Sequence, residues 1–140
     1  MSQTTVENPK PISATAPAVV ARPSTATGST TERKGLTKKE IAADHPTWCP
    51  GCGDFSVLAL YFKLIEKRKL HHEKITTVAG IGCSSRFPYF VQAHGAHYIH
   101  GRALPFASGI SLSRPDLHVF AFGGDGDAFS IGGNHFNHTA

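Results

Sequence analysis

Two short apolar runs, ITTVAGIG at residues 75–82 and HVFAFGGDGD at 118–127, each break off into glycines. Runs rich in β-branched and aromatic residues, with little polar alternation, mark strands covered on both faces, which is the situation in a parallel sheet. Between them, GRALPFASGISLSRPD (101–116) reads as a Gly- and Ala-rich helix ended at Pro115, since proline removes an amide donor and clashes with the preceding turn. A further helix is expected from about Ala128. Upstream, FSVLALYFKLIEKRKL sets Phe55, Leu58, Phe62 and Ile65 at helical spacing, with Asp54 as the expected N-cap. Strands alternating with helices predict an α/β fold with a parallel sheet. In such sheets ligands sit at the carboxyl ends of the strands, where the loops IGCSSR and GGDGD both fall.

Composition divides the chain. Residues 1–36 are rich in Ser, Thr, Ala and Pro and carry no aromatic residue. Such a segment cannot bury enough apolar surface to offset its ordering entropy, so a disordered tail is expected there, with residues 37–140 forming the folded part. No apolar run reaches the ~20 residues that span a bilayer, and the run from Ala16 to Ala21 lacks a basic segment before it, which argues against a secretory signal. The excess of 14 Lys+Arg over 10 Asp+Glu lies largely in Arg33–Lys39 and Lys67–Lys74. No aromatic residue interleaves with either run, which argues against nucleic acid. Three cysteines, two of them as C-x-x-C, point to a reducing compartment, the cytoplasm, and to metal or redox use.

The chemistry concentrates in two places. In HPTWCPGCGD (45–54), Cys49 and Cys52 lie on a glycine-containing loop whose amides can point at sulfur, as around an iron–sulfur cluster. A structural zinc site uses the same pair but expects a second pair 12–20 residues on. Here the next cysteine, Cys83, stands alone at a strand end. In GGDGD, glycines let the backbone approach a pyrophosphate and a carboxylate can hold a bridging Mg²⁺. The competing reading is a plain Gly/Asp turn with Asp127 as a helix N-cap. The histidines His94, His97 and His100 recur every three residues, but Gly95 argues against the regular helix a zinc site would need. His100 directly precedes the Gly101–Arg102 helix start, where phosphates are well received, whereas His135 and His138 read as surface residues.

In this order, HPTWCPGCG, GIGCSS, HGRALPFASG and GGDGD closely resemble the β subunit of 2-oxoacid:ferredoxin oxidoreductases, in particular the 2-oxoglutarate type. The resemblance covers about residues 40–140. It implies a thiamine diphosphate-binding fold with Mg²⁺ and a 4Fe-4S cluster. Residue by residue it implies Cys49, Cys52 and Cys83 as cluster ligands, and Ile81, Gly82, Cys83 and Ser84 along the cofactor. It further implies His100 at the diphosphate, with Gly124, Asp125, Gly126 and Asp127 cradling it and Asp125 ligating Mg²⁺. The fourth cysteine and the remaining Mg²⁺ ligand are expected beyond Ala140, so the chain reads as the amino-terminal part of a longer, incomplete domain, inactive alone. The acid that activates the aminopyrimidine is expected from a partner α subunit, so no catalytic residue is assigned to this chain. Ferredoxin, coenzyme A and a 2-oxo acid are the other implied partners. A thiamine-dependent decarboxylase or synthase without a cluster would leave the cysteines idle, and a small metal-binding module would reduce GGDGD to a turn.

Overall fold

A computed structural model describes residues 34–140, so nearly all of the expected tail lies outside it. Of the three described residues assigned to that tail, Leu36 packs against the core. The central strand β1 (Ile75–Ala79) is buried at every position. It pairs in parallel with β2 (His94–His97) on one side and β3 (His118–Phe122) on the other, giving the order β2–β1–β3. Ala79 lies level with His97 and with Phe122. All three carboxyl ends therefore open onto one edge, as the parallel-sheet expectation requires.

Strand β2 was not expected. Its residues, HGAH, offer no apolar signal and are mostly exposed; what recruits them is backbone pairing to the amides and carbonyls of β1. In a strand, side chains three apart point to opposite faces, so His94 and His97 do not share a helical face with His100. The three-histidine metal arrangement does not form.

Two helices cover the sheet. Helix α2 (Asp54–Arg68) follows a short first helix, α1 (Lys38–Ile41). It buries Leu58, Tyr61, Phe62 and Ile65, while Phe55 stays partly exposed. Its N-cap is Gly53 and not Asp54, which is the first helical residue. It stops where Lys69 turns left-handed at φ 52° and the Leu70 amide reaches back to the Ile65 carbonyl at 3.1 Å, a Schellman-type ending. After β1, the short helix α3 (Phe87–Phe90) adds Phe87 and Phe90 to the same core. Helix α4 (Ala103–Ser113) packs Ala103 and Ala107 on Val78 in a second cluster with Val119. Small residues let α4 approach the strands closely. Past β3, residues Gly126–Ile131 wind as a π-helical turn before α5 (Gly133–Thr139). The expected helix from Ala128 is thus two pieces; on the second, His138 is exposed and His135 is half-buried.

The larger core is aromatic. Phe87 stacks on Phe122 with centroids 3.7 Å apart, and Tyr61 meets Phe87, Phe120 and Phe122 edge-on. This joins α2, α3 and β3, which are far apart in sequence. Phe87 is 1% exposed. Phe87→Ala should therefore lower stability by about 3–5 kcal/mol, read as a shift of the urea midpoint; a loss below about 1 kcal/mol would mean this aromatic contact is not the core's centre.

Candidate functional site

The loops after β1, β2 and β3 meet at one carboxylate. Asp127, in GGDGD, is 3% exposed. Its Oδ1 accepts the backbone N–H of Ile81 at 3.0 Å and that of Gly101 at 2.8 Å. The same oxygen lies 2.6 Å from His100 Nδ1. One side chain thus ties GIGCSS, HGR and GGDGD together. Burial pushes the Asp127 carboxyl up, but the Gly101 and Ile81 amides and His100 outweigh it and hold the group below the usual carboxylate range. An ionised carboxylate only accepts hydrogen bonds, so His100 presents its Nδ1 proton to Asp127. The imidazole is thereby oriented with 44% of the side chain exposed.

The glycines of these motifs serve that contact. A Cβ at Gly80 would overlap the Asp127 carboxylate. Gly101 is left-handed at φ 70°, and a Cβ there would fall 2.8 Å from the Gly132 amide nitrogen. Asp127 is consequently not the N-cap of the turn that follows. Asp125 precedes that turn, and the Ala128 amide donates to the Gly124 carbonyl at 2.8 Å. The remaining loop residues face outward: Asp125 and Gly126 are exposed and Gly124 is half-buried. Gly82, at φ 115°, has open space where a side chain would project.

The CPGC loop lies on the flank of the β1 loop, which carries Cys83. The Trp48 indole N–H donates to the Cys83 carbonyl at 2.7 Å. Trp48 itself is held by Phe55, Phe87 and Phe90. The CPGC segment closes through the Cys52 amide on the Cys49 carbonyl at 3.0 Å. Ser84 Oγ donates to the Asp54 carboxylate, at 3.0 Å to Oδ1, and the Cys52 thiol lies 3.5 Å from Oδ2. Cys49, Cys52 and Cys83 are free thiols, Cys49 and Cys83 exposed and Cys52 half-buried. Their loops adjoin, yet among the described residues no group of three or more His, Cys, Asp or Glu is gathered closely enough to hold a metal. Sequence reasoning missed the hub role of Asp127 because its donors stand 26 and 46 residues away. The signal available was the coincidence of glycines at the ends of two strands.

Asp127 generates a prediction. Its folded carboxyl titrates below the unfolded value of about 3.9. Its contribution to stability is therefore fully present above that pH and is lost as pH falls through the lower folded value. The wild-type urea midpoint should drop on acidification below about pH 4. Asp127→Asn should be less stable at neutral pH, by about 1–3 kcal/mol for each donor left without a partner, and should lose less in acid. Parallel curves for the two proteins would mean that the charge is not what the loops hold.

The comparisons with known proteins agree with one another. Residues 80–140 match the family described as thiamine pyrophosphate enzyme, C-terminal TPP binding domain. The 2-oxoglutarate oxidoreductase subunit KorB of Mycobacterium tuberculosis is 48% identical over 102 residues, 72% of this chain and 27% of that one. The 2-oxoglutarate synthase subunit KorB of Methanocaldococcus jannaschii is 47% identical over 91 residues, 65% of this chain and 34% of that one. Among solved structures, the 2-oxoglutarate:ferredoxin oxidoreductase from Magnetococcus marinus, with 2-oxoglutarate, coenzyme A and succinyl-CoA bound, superposes with a TM-score of 0.73 at 42% identity. That match covers 77% of this chain and 38% of the other. The chain thus spans 27% and 34% of the length of these two relatives. Among the described residues no helix is long and apolar enough to cross a membrane. By sequence and by fold together, the chain is similar to 2-oxoacid:ferredoxin oxidoreductase β subunits, and its residues 80–140 match a thiamine pyrophosphate-binding domain.

Proposed function

We propose that this chain supplies the diphosphate-, Mg²⁺- and iron–sulfur-binding side of a 2-oxoacid:ferredoxin oxidoreductase acting with an α subunit. The reaction is the oxidative decarboxylation of a 2-oxo acid, 2-oxoglutarate, to its coenzyme A thioester, with electrons leaving through a 4Fe-4S cluster to ferredoxin. The relatives' names and the ligands of the Magnetococcus marinus structure support the substrate and the acyl acceptor. The observation that carries the reading is the Asp127 carboxylate, which gathers three strand-end loops at the edge where parallel sheets take their ligands.

The residues fit a Mg²⁺–diphosphate. Asp125 is an exposed hard oxygen donor, the donor chemistry Mg²⁺ takes together with phosphate oxygens, and the neighbouring Gly126 leaves open space where a side chain would project. Gly124, Asp125 and Gly126 would hold the diphosphate and metal through backbone amides and the Asp125 carboxylate. His100, fixed at Nδ1 by Asp127, would present Nε2 toward the same anion. Gly82 and Ile81 would let the β1 loop lie along the cofactor, with Ser84 beside them. When bound, thiamine diphosphate supplies the electron sink for decarboxylation of a 2-oxo acid.

The cysteines fit a cluster as donors. Three soft thiolates on two adjoined loops match the iron–sulfur preference for sulfur, and Cys49, Cys52 and Cys83 would hold it. When bound, the cluster supplies one-electron acceptance. Cys83 sits two residues after Ile81, whose amide is on Asp127, so this one loop serves both groups.

Two variants test the two halves separately. Asp125→Ala should weaken Mg²⁺-dependent thiamine diphosphate binding severely in calorimetry while circular dichroism stays native; unchanged affinity would reduce GGDGD to a turn. Cys49→Ser and Cys83→Ser should each bleach the broad absorbance near ~400 nm expected of thiolate-bound iron–sulfur clusters after anaerobic preparation. Stoichiometric zinc without iron in the wild-type protein would contradict the cluster assignment.

A further inference from the structure

Asp54 is spare on the N-cap reading, because Gly53 caps α2. Its carboxylate is instead placed between the two cysteine loops. Ser84 Oγ lies 3.0 Å from Oδ1 and 3.3 Å from Oδ2, and the Cys52 thiol lies 3.5 Å from Oδ2. Ser84 directly follows Cys83, and Cys52 is the inner cysteine of the CPGC loop. Thirty residues of chain separate Asp54 from Ser84, so the bond is a tertiary stitch and not a turn. A second stitch runs beside it, from the Trp48 indole to the Cys83 carbonyl. Ser84 Oγ also lies 3.9 Å from where a Cβ of Gly124 would stand, so the stitched hydroxyl borders the GGDGD loop.

We propose that Asp54 is a positioning residue for the iron–sulfur site: it clamps the CPGC loop to the Cys83 loop through Ser84 and lays one negative charge beside the Cys52 sulfur. The proposal rests on the cluster reading above. The bond to Ser84 fixes how the two loops face each other, which a ligand spanning both of them requires. The charge acts through space on whatever electron-accepting group Cys52 holds, disfavouring the reduced, more negative state. Partners outside the first ligand shell have this double effect on metal sites in general, orienting ligands and tuning the metal.

The test uses the β chain assembled with its α subunit and reconstituted anaerobically with ferrous iron and sulfide. Iron per chain, the rate of iron loss to a chelator and the midpoint potential are measured for wild type, Asp54→Asn, Asp54→Ala and Ser84→Ala. Asp54→Asn, which keeps shape and removes charge, should raise the midpoint potential. Asp54→Ala should release iron about 10- to 100-fold faster, and Ser84→Ala should release it faster with little change in potential, because the charge remains. An unchanged potential in Asp54→Asn with an unchanged release rate in Asp54→Ala would overturn the proposal. A wild-type protein that takes up no iron would instead overturn the cluster reading beneath it. Should Asp54→Ala fail to fold, Asp54→Asn and Ser84→Ala decide the matter alone, unchanged potential and release overturning the proposal.

Discussion

One buried carboxylate oxygen holds the functional edge of this molecule together. Burying a carboxylate costs several kcal/mol, and Asp127 is buried in the turn that follows β3. That cost is offset only if the donors are all in place, since hydrogen bonds to a charged group contribute about 1.5–3 kcal/mol each. Asp127 has three donors, from Ile81, Gly101 and His100. The loops after all three strands are therefore fixed by a common requirement. A loop that strayed would leave a charge unpaired in the interior.

The rest of the fold makes that meeting possible. Parallel pairing of β1 with both neighbours sends three strand ends to one edge, and the aromatic core beneath, centred on Phe87 and Phe122, holds the strands in register with α2. The same core seats Trp48, whose indole reaches the Cys83 carbonyl. Cys83 is thus anchored from two directions: by the core through Trp48 and Asp54, and by the Asp127 hub through the neighbouring Ile81 amide. A loop held at both ends in this way keeps Ile81 and Cys83 fixed relative both to the hub and to the core.

Much of this was legible in the residues. Runs 75–82 and 118–127 gave two strands and their glycine ends, because buried parallel strands need long β-branched and aromatic stretches. The spacing of Leu58, Phe62 and Ile65 gave α2. Strand β2 was not legible, since HGAH is exposed and joins the sheet only through its backbone. The split of the last helix was hidden as well, because a π-helical turn leaves no periodic mark of its own. At the site, the motifs pointed to the loops but misread Asp54 as an N-cap and left a cap as the competing reading of Asp127. Asp54 and Asp127 each resemble a helix N-cap in sequence, and each in fact reaches across the fold to donors 26 or more residues distant. Local pattern cannot tell a cap from a tertiary stitch, because both need a short acid beside glycine at a helix start.

The central claim is that three separate loops form one diphosphate site. The most direct test is to titrate the isotope-labelled chain with Mg²⁺–thiamine diphosphate and follow its backbone amides by nuclear magnetic resonance. The account predicts that the amides of Gly82 and Ser84, of Gly101, and of Gly124 and Gly126 shift together with a single apparent affinity, and that Asp127→Asn abolishes this concerted response. Shifts confined to one loop, or unchanged by that substitution, would contradict it.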